Sequence, residues 1–262
     1  MSDAIKNHWN STSDEYYTRD IDSYEAIIAS PERAFPLAVY PLIQKYVGAL
    51  QGKRVCVPSN GDNIAAFGFF LLGAKVTSCD LSENQIANAQ KIADKYRFDV
   101  EFVCDDSMTL GKVRDDTYDL VYTSNGVHVW IDNLPGMYRN FHRVLKRGGY
   151  NIFFETHPMS RPFDDKTYEV KIKKPYEAIG PDEEMPTYDW RTQDFVNAIA
   201  SAGFMIKEMQ EFHSLREDLK SHNYLILSEN SGQFNWPGDT FDWHNNPWAA
   251  LPQCLSICSQ KL

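Results

Sequence analysis

From Lys53 onward the chain alternates short apolar runs with stretches of helical periodicity, and this alternation constrains the architecture more than any other feature. Lys53–Val57 reads as a strand, Asn63–Leu72 as a helix stopped by Gly73, Lys75–Cys79 as a second strand and Ser82–Tyr96 as a second helix. That second helix opens with Ser82 and Gln85 at capping-box spacing and gathers Ile86, Ala89, Ala93 and Tyr96 on one face. Val100–Val103 and Tyr118–Tyr122 are the third and fourth strands. Leu134, Met137, Tyr138, Phe141, Val144 and Leu145 form a helical stripe; Lys146, Arg147 and Gly148 follow, cations and glycine where the helix dipole and C-cap favour them. Gly149–Phe154 is a fifth strand, and a helix over Thr192–Ala202 ends at Gly203. Phe204–Met209 and Leu255–Ser259 have no helical pattern between them, which fits a strand pair with one antiparallel member. Strands and helices in this order predict an α/β fold, a mostly parallel sheet with helices on both faces.

Three segments stand outside the alternation: Met1–Leu50, His157–Asp189 with five prolines, and Gln210–Gln253 with Trp236, Trp243 and Trp248. Ligands of open α/β sheets bind at the carboxyl ends of the strands, so these segments are expected to act as an N-terminal cap and two lids on a single domain spanning 1–262. The length of 262 residues suits one large α/β domain. The net charge of −10 argues against a nucleic-acid substrate, whose phosphates call for clustered Lys and Arg. The five cysteines, Cys56, Cys79, Cys104, Cys254 and Cys258, lie in or beside apolar runs and read as reduced thiols of a cytoplasmic protein. Cys254 and Cys258 lack a second pair or a nearby His, so no metal site is expected. No secretory signal or membrane span is visible, and the chain is expected to be a monomer or homodimer.

The chemistry concentrates at strand exits. VCVPSNGDN, Val55–Asn63, leaves the first strand through Ser59, Asn60, Gly61 and Asn63, small residues that suit a tight turn with exposed N–H groups. Asp80, at the end of the second strand and nineteen residues after Gly61, is placed to accept both hydroxyls of a ribose. CDDSM, Cys104–Met108, offers Asp105 and Asp106 to an adenine amino group, with Asp106 preferred because Ser107 follows it. The fourth strand runs into TSNGVHVW, where Asn125–Gly126 signals a turn and His128 is the most reactive group. Glu155 and His157 occupy the equivalent place after the fifth strand, and any of the three is a candidate general base.

The succession VCVPSNGDN, CDLS, CDDSM, YDLVYTSNGVH and HRVLKRGGY resembles the class I S-adenosylmethionine-dependent methyltransferases, chiefly over Lys53–Phe154. The resemblance implies a Rossmann-like seven-stranded sheet of order 3-2-1-4-5-7-6 with strand 7 antiparallel. It implies S-adenosylmethionine as cofactor, with Asp80 and its flank Leu81-Ser82 at the ribose and Asp106, Ser107 and Met108 at the adenine. Ser59, Asn60, Gly61, Asn63, Gln85 and Asn125 complete the implied cofactor site, together with Trp9 of His8–Asn10, a segment similar to one that folds over the cofactor in small-molecule members. Leu145–Gly149 is similar to the family's Leu-Lys-Pro-Gly-Gly turn, with Arg147 in place of the proline. The first motif departs from the family's Asp-x-Gly-x-Gly-x-Gly: Val57 stands for the acid, Ser59 and Asn63 for the outer glycines. Asn60, Asn63, Asp62 or backbone carbonyls are then left to meet the cofactor's ammonium.

The implied reaction is methyl transfer to a small molecule in an aromatic-walled cleft floored by His128, Glu155 and His157. Two other readings stay open. A non-catalytic methyltransferase-like binding or regulatory module is motivated by the eroded first motif. A nicotinamide (NAD) dehydrogenase shares the turn and the acid, but the single glycine and the helix-free last strand pair speak against it.

Overall fold

The computed structural model describes residues 2–19, 21–61, 63–124, 126–164, 170–213 and 242–262. Helices α1 (Ser2–Arg19), α2 (Ile21–Ala29) and α3 (Val39–Tyr46) precede the sheet. Then follow β1 (Arg54–Val57), α4 (Ile64–Leu71), β2 (Lys75–Asp80), α5 (Glu83–Tyr96), β3 (Glu101–Cys104) and β4 (Tyr118–Thr123). The chain continues with α6 (Leu134–Val144), β5 (Leu145–Thr156), α7 (Thr192–Ser201), β6 (Phe204–Phe212) and β7 (Cys254–Lys261). The seven strands form one sheet of order β3-β2-β1-β4-β5-β7-β6, in which β7 runs antiparallel to both neighbours. This is the expected Rossmann-like topology. No helix among the described residues is long and apolar enough to cross a membrane.

Strand alternation divides the core in two. Val55, Val57, Leu120, Tyr122, Ile152 and Phe154 face the layer of α2, α3, α4 and α5, whereas Cys56, Val121 and Phe153 face α6 and α7. Helix α4 is apolar all round because the N-terminal segment covers its outer side: a Cβ at Gly68 would come within 2.3 Å of the Ala34 Cβ. Helix α5 is N-capped by Ser82, whose Oγ accepts the Gln85 N–H at 3.1 Å. The reciprocal half of the expected capping box is missing, since Gln85 Oε1 is buried without a partner.

One boundary differs from the expected one. The α6 stripe stops at Val144, and Leu145 is already extended (φ −72°, ψ 143°) and paired with Tyr118. Lys146 then reaches the Asp119 carboxylate at 2.9 Å, so this cation ties β5 to β4 rather than closing a helix.

Candidate cofactor and acceptor site

The β1–α4 turn is bent by two residues with positive φ, Ser59 (49°) and Gly61 (55°). Ser59 thus takes a left-handed conformation at a position where the family places glycine. Asn63, at the last glycine position, is instead the N-cap of α4 and accepts the Ala65 N–H at 3.2 Å. The turn is fastened to β2 by the Asn60 N–H, which donates to Cys79 O at 3.0 Å. The Asn60 amide donates to Asn63 O at 3.1 Å, but its Oδ1 is buried with no partner.

Asp80 lies directly across this turn. Its Oδ2 accepts the Gly61 N–H at 2.8 Å and its Oδ1 the Ser82 N–H at 2.9 Å. Burial lifts the carboxyl to about 6, although the bonds from Ser82 and Gly61 hold it back. Glycine is favoured at 61, where φ is left-handed and a Cβ would sit tightly, 3.0 Å from Gln85 Oε1. The cradle therefore combines a raised carboxyl, a close backbone and two buried oxygens without donors. Leaving such oxygens unmade costs about 1–3 kcal/mol each, and a ligand offering hydroxyl and ammonium donors relieves that cost. The residues fit a ribose-bearing, cationic cofactor.

The β3 exit separates its two acids. Asp105 spends both oxygens, on the Asp106 N–H (2.9 Å) and the Lys112 N–H (2.7 Å). Asp106 uses Oδ1 for the Met108 N–H at 2.8 Å and, among the described residues, keeps Oδ2 unspent. Ser107 is buried, and its hydroxyl lies 2.6 Å from that of Ser59, joining this turn to the first. Leu81 O takes a weak thiol bond from Cys104 at 3.6 Å.

The β4 and β5 exits behave differently. Glu155 is 1% exposed and accepts the N–H groups of Gly126, Val127 and His128, each at 3.0 Å, plus His128 Nδ1 at 2.8 Å. Burial pushes its carboxyl up, but the bonds from His128 and the backbone outweigh this and hold it below the ordinary range. With Nδ1–H given to Glu155, His128 Nε2 accepts from Tyr138 OH at 2.9 Å, and the ring is walled by Phe153 and Phe195. His157 is equally buried: Nδ1 accepts the Met159 N–H at 3.0 Å, so Nε2–H donates to Glu211 at 2.8 Å. The expected convergence of three free groups is corrected here. His128 and Glu155 are bonded to each other, His157 is bonded elsewhere, and none presents a free nitrogen or oxygen for proton removal.

Helix α1 bridges the two halves. Asn10 Oδ1 accepts the Ser82 hydroxyl at 2.5 Å, and Asn10 O accepts the Asn84 amide at 2.9 Å. Lys6 pairs with Glu83. On the other side Trp9 meets Trp130 edge-on at 5.3 Å and His8 stacks on Trp130 at 5.2 Å. The 157–189 insertion ends against the same segment, with the Tyr188 N–H on Val129 O at 2.7 Å, and just beyond it Trp190 Nε1–H donates to Ile131 O at 2.9 Å. The aromatic rim is thus Trp9, His8 and Trp130, of which Trp130 was legible only as part of the strand-exit motif. The expected tryptophan wall differs: Trp248 is buried against Phe163 and anchors its segment, and Trp243 is 58% exposed. Asn125, Asp62 and Trp236 lie outside the described residues.

Residues 59–153, from the first turn through most of β5, match the family model described as a methyltransferase domain. These residues carry a methyltransferase domain. A methyltransferase domain makes the enzyme class that of a transferase. The fold of this methyltransferase is shared with an S-adenosylmethionine-dependent methyltransferase from Mesorhizobium loti, 19% identical over 85% of this chain and 97% of that one, with TM-score 0.61. A second such structure, from Listeria monocytogenes and titled a putative S-adenosylmethionine-dependent methyltransferase, is 18% identical over 85% and 96%, with TM-score 0.60. Geranyl diphosphate C-methyltransferase from Streptomyces coelicolor A3(2), solved with Mg2+, geranyl diphosphate and S-adenosyl-L-homocysteine, is 11% identical over 86% and 80%, with TM-score 0.60. No curated protein sequence matches the methyltransferase.

Proposed function

We propose that this chain methylates a small molecule held at the carboxyl ends of β4 and β5, beside helix α1 and the segment that ends at Tyr188 and Trp190. The observation that carries the reading is the cradle at Asp80, where a close-packed Gly61 adjoins two buried oxygens, of Gln85 and Asn60, that have no donor. Asp80 would hold the ribose hydroxyls, Asp106 and Ser107 the adenine edge, and Asn60 with the β1–α4 turn the amino-acid end. S-adenosylmethionine supplies an already activated methyl group, so the protein's work is alignment and exclusion of water.

The acceptor is a small molecule rather than a nucleic acid: the chain is acidic, and the solved C-methyltransferase of the same fold was captured with a small substrate. The rim of Trp9, His8 and Trp130 offers it an apolar, π-rich wall. Since His128 and Glu155 are spent on each other, on Tyr138 and on backbone, and His157 on Glu211 and the Met159 N–H, the favoured acceptor is one whose nucleophile needs no base from these three. Glu155 and His128 instead hold the 126–130 segment that carries Trp130. Calorimetry with S-adenosylhomocysteine tests the reading: micromolar-range heat is expected, and its absence would remove the assignment. A binding module without turnover is the second reading, favoured by Val57 at the acid's place; it predicts the same heat but no methyl transfer to any acceptor.

A further inference from the structure

The segment 105–117, between β3 and β4, contains no helix, yet it carries the Asp106-Ser107-Met108 turn. A crossover without regular structure leaves its carbonyls to be satisfied from outside. Two side chains of α6 do so. Arg143 Nη2 donates to Thr109 O at 3.0 Å and Leu110 O at 2.8 Å, and Nη1 donates to Val113 O at 3.2 Å. Asn140 Nδ2 donates to Met108 O at 2.6 Å, while its Oδ1 accepts Arg143 Nε at 3.1 Å. Two residues one turn apart thus grip four carbonyls between Met108 and Val113. Their helix is itself anchored in the core through Met137, Phe141 and Val144.

We propose that Arg143 and Asn140 are positioning residues for the adenine end of the cofactor: through the Met108–Val113 carbonyls they fix where the unspent Oδ2 of Asp106 stands. The inference rests on the reading that Asp106 faces the adenine. The planar guanidinium reaches several carbonyls at fixed angles, and a lysine ammonium cannot reproduce that fork. Leu110 and Asp116 hold left-handed φ of 45° and 47° without being glycines, so the segment is not in its relaxed form and needs such a grip. Asp115, which also pairs with Arg143, is exposed and belongs to the solvent side of the guanidinium.

The test compares S-adenosylhomocysteine with S-inosylhomocysteine, in which an oxo group replaces the adenine amino group. By calorimetry the wild type is expected to prefer the former by about tenfold, the scale of one good hydrogen bond. Arg143→Lys and Asn140→Ala are expected to lower affinity for S-adenosylhomocysteine by about tenfold and to bring the preference towards unity, as Asp106→Asn does. Asp115→Asn is expected to leave the preference intact. A preference unchanged in both α6 variants overturns the proposal, as does its equal loss in Asp115→Asn. Loss of both affinities in parallel, with the ratio preserved, marks a merely structural role and also overturns it. A wild type that binds neither ligand fails at the cofactor reading itself, whereas one that binds both equally fails at the adenine contact. Asn140→Ala serves where Arg143→Lys does not fold.

Discussion

The exits of β1, β2 and β3 and those of β4 and β5 are built from similar polar residues and put to opposite uses. In the first group Asp80 is lifted by burial to about 6, and Gln85 Oε1 and Asn60 Oδ1 lack donors. In the second, Glu155 takes four donors, and both nitrogens of His128 and of His157 are engaged. A group reserved for a ligand keeps hydrogen-bonding capacity in hand and is destabilising until the ligand arrives. A group that holds the fold spends that capacity within the chain. Reactivity by residue type is therefore a poor guide: the two histidines are the more reactive side chains, and the unspent oxygens of Asp106 and Gln85 are the better site candidates.

The largest effect expected from this contrast is on folding. Glu155→Ala leaves three N–H groups and His128 without an acceptor in the core, and should cost about 3–5 kcal/mol in urea unfolding. Because the folded Glu155 carboxyl lies below its ordinary value of 4.5, its stabilisation is present above that pH and is lost as pH falls through the folded value. The gap between wild type and variant should accordingly close on acidification. A stability unchanged at neutral pH would break the contrast at its structural end.

Asp80→Ala should weigh on binding instead. Affinity for S-adenosylhomocysteine should fall by about 1.5–3 kcal/mol, with a smaller loss of stability than in Glu155→Ala, because only the Gly61 and Ser82 N–H groups lose an acceptor. An acid raised in the folded state contributes to stability at low pH, and that contribution is lost as pH rises from 3.8 to about 6. Only the ionised carboxylate accepts from both hydroxyls, so wild-type affinity should climb by about tenfold from pH 5 to 7 and then level, and Asp80→Asn should flatten the profile. A flat wild-type profile would detach Asp80 from the ligand.

How much of this was legible in the sequence depended on what signal each part leaves. The strands and α4 to α7 were readable because burial on one face writes a period of 2 or 3.6 into the residues, and the resemblance supplied the strand order. Asp80 and the two turns were found because a strand exit followed by a cap is a local pattern. Helix α1 was not read as a helix: of Ile5, Trp9 and Ser13, only Ile5 is an aliphatic residue on its buried side, and polar bonds from Asn10 to Ser82 and Asn84 hold it instead. The end of α6 was misplaced because Lys146 has the same sequence signature whether it faces a helix dipole or Asp119 of a neighbouring strand. The bonding partners of Glu155, His128 and His157 were not legible for a related reason. Their partners Gly126, Tyr138 and Glu211 are 10 to 54 residues away, and no local pattern records such pairings.

The smallest predicted effect is the sharpest on the contrast, because it separates stability from binding within one side chain. Gln85 supports α5 through its backbone N–H on Ser82, which a substitution leaves in place, whereas its side-chain oxygen is buried against Gly61 without a donor. Gln85→Leu keeps much of the volume and removes the unsatisfied atom. Thermal or urea unfolding should show equal or higher stability, by up to about 1 kcal/mol, because an unpaired buried acceptor has been taken away. Calorimetry with S-adenosylhomocysteine should show affinity lower by about 1 kcal/mol, the worth of one ordinary hydrogen bond. Opposite signs are what a group held in reserve for a ligand produces. If stability instead drops while affinity holds, Gln85 belongs with Glu155 among the residues that hold the fold, and the cradle is narrowed to Asp80, Asn60 and the backbone of Gly61.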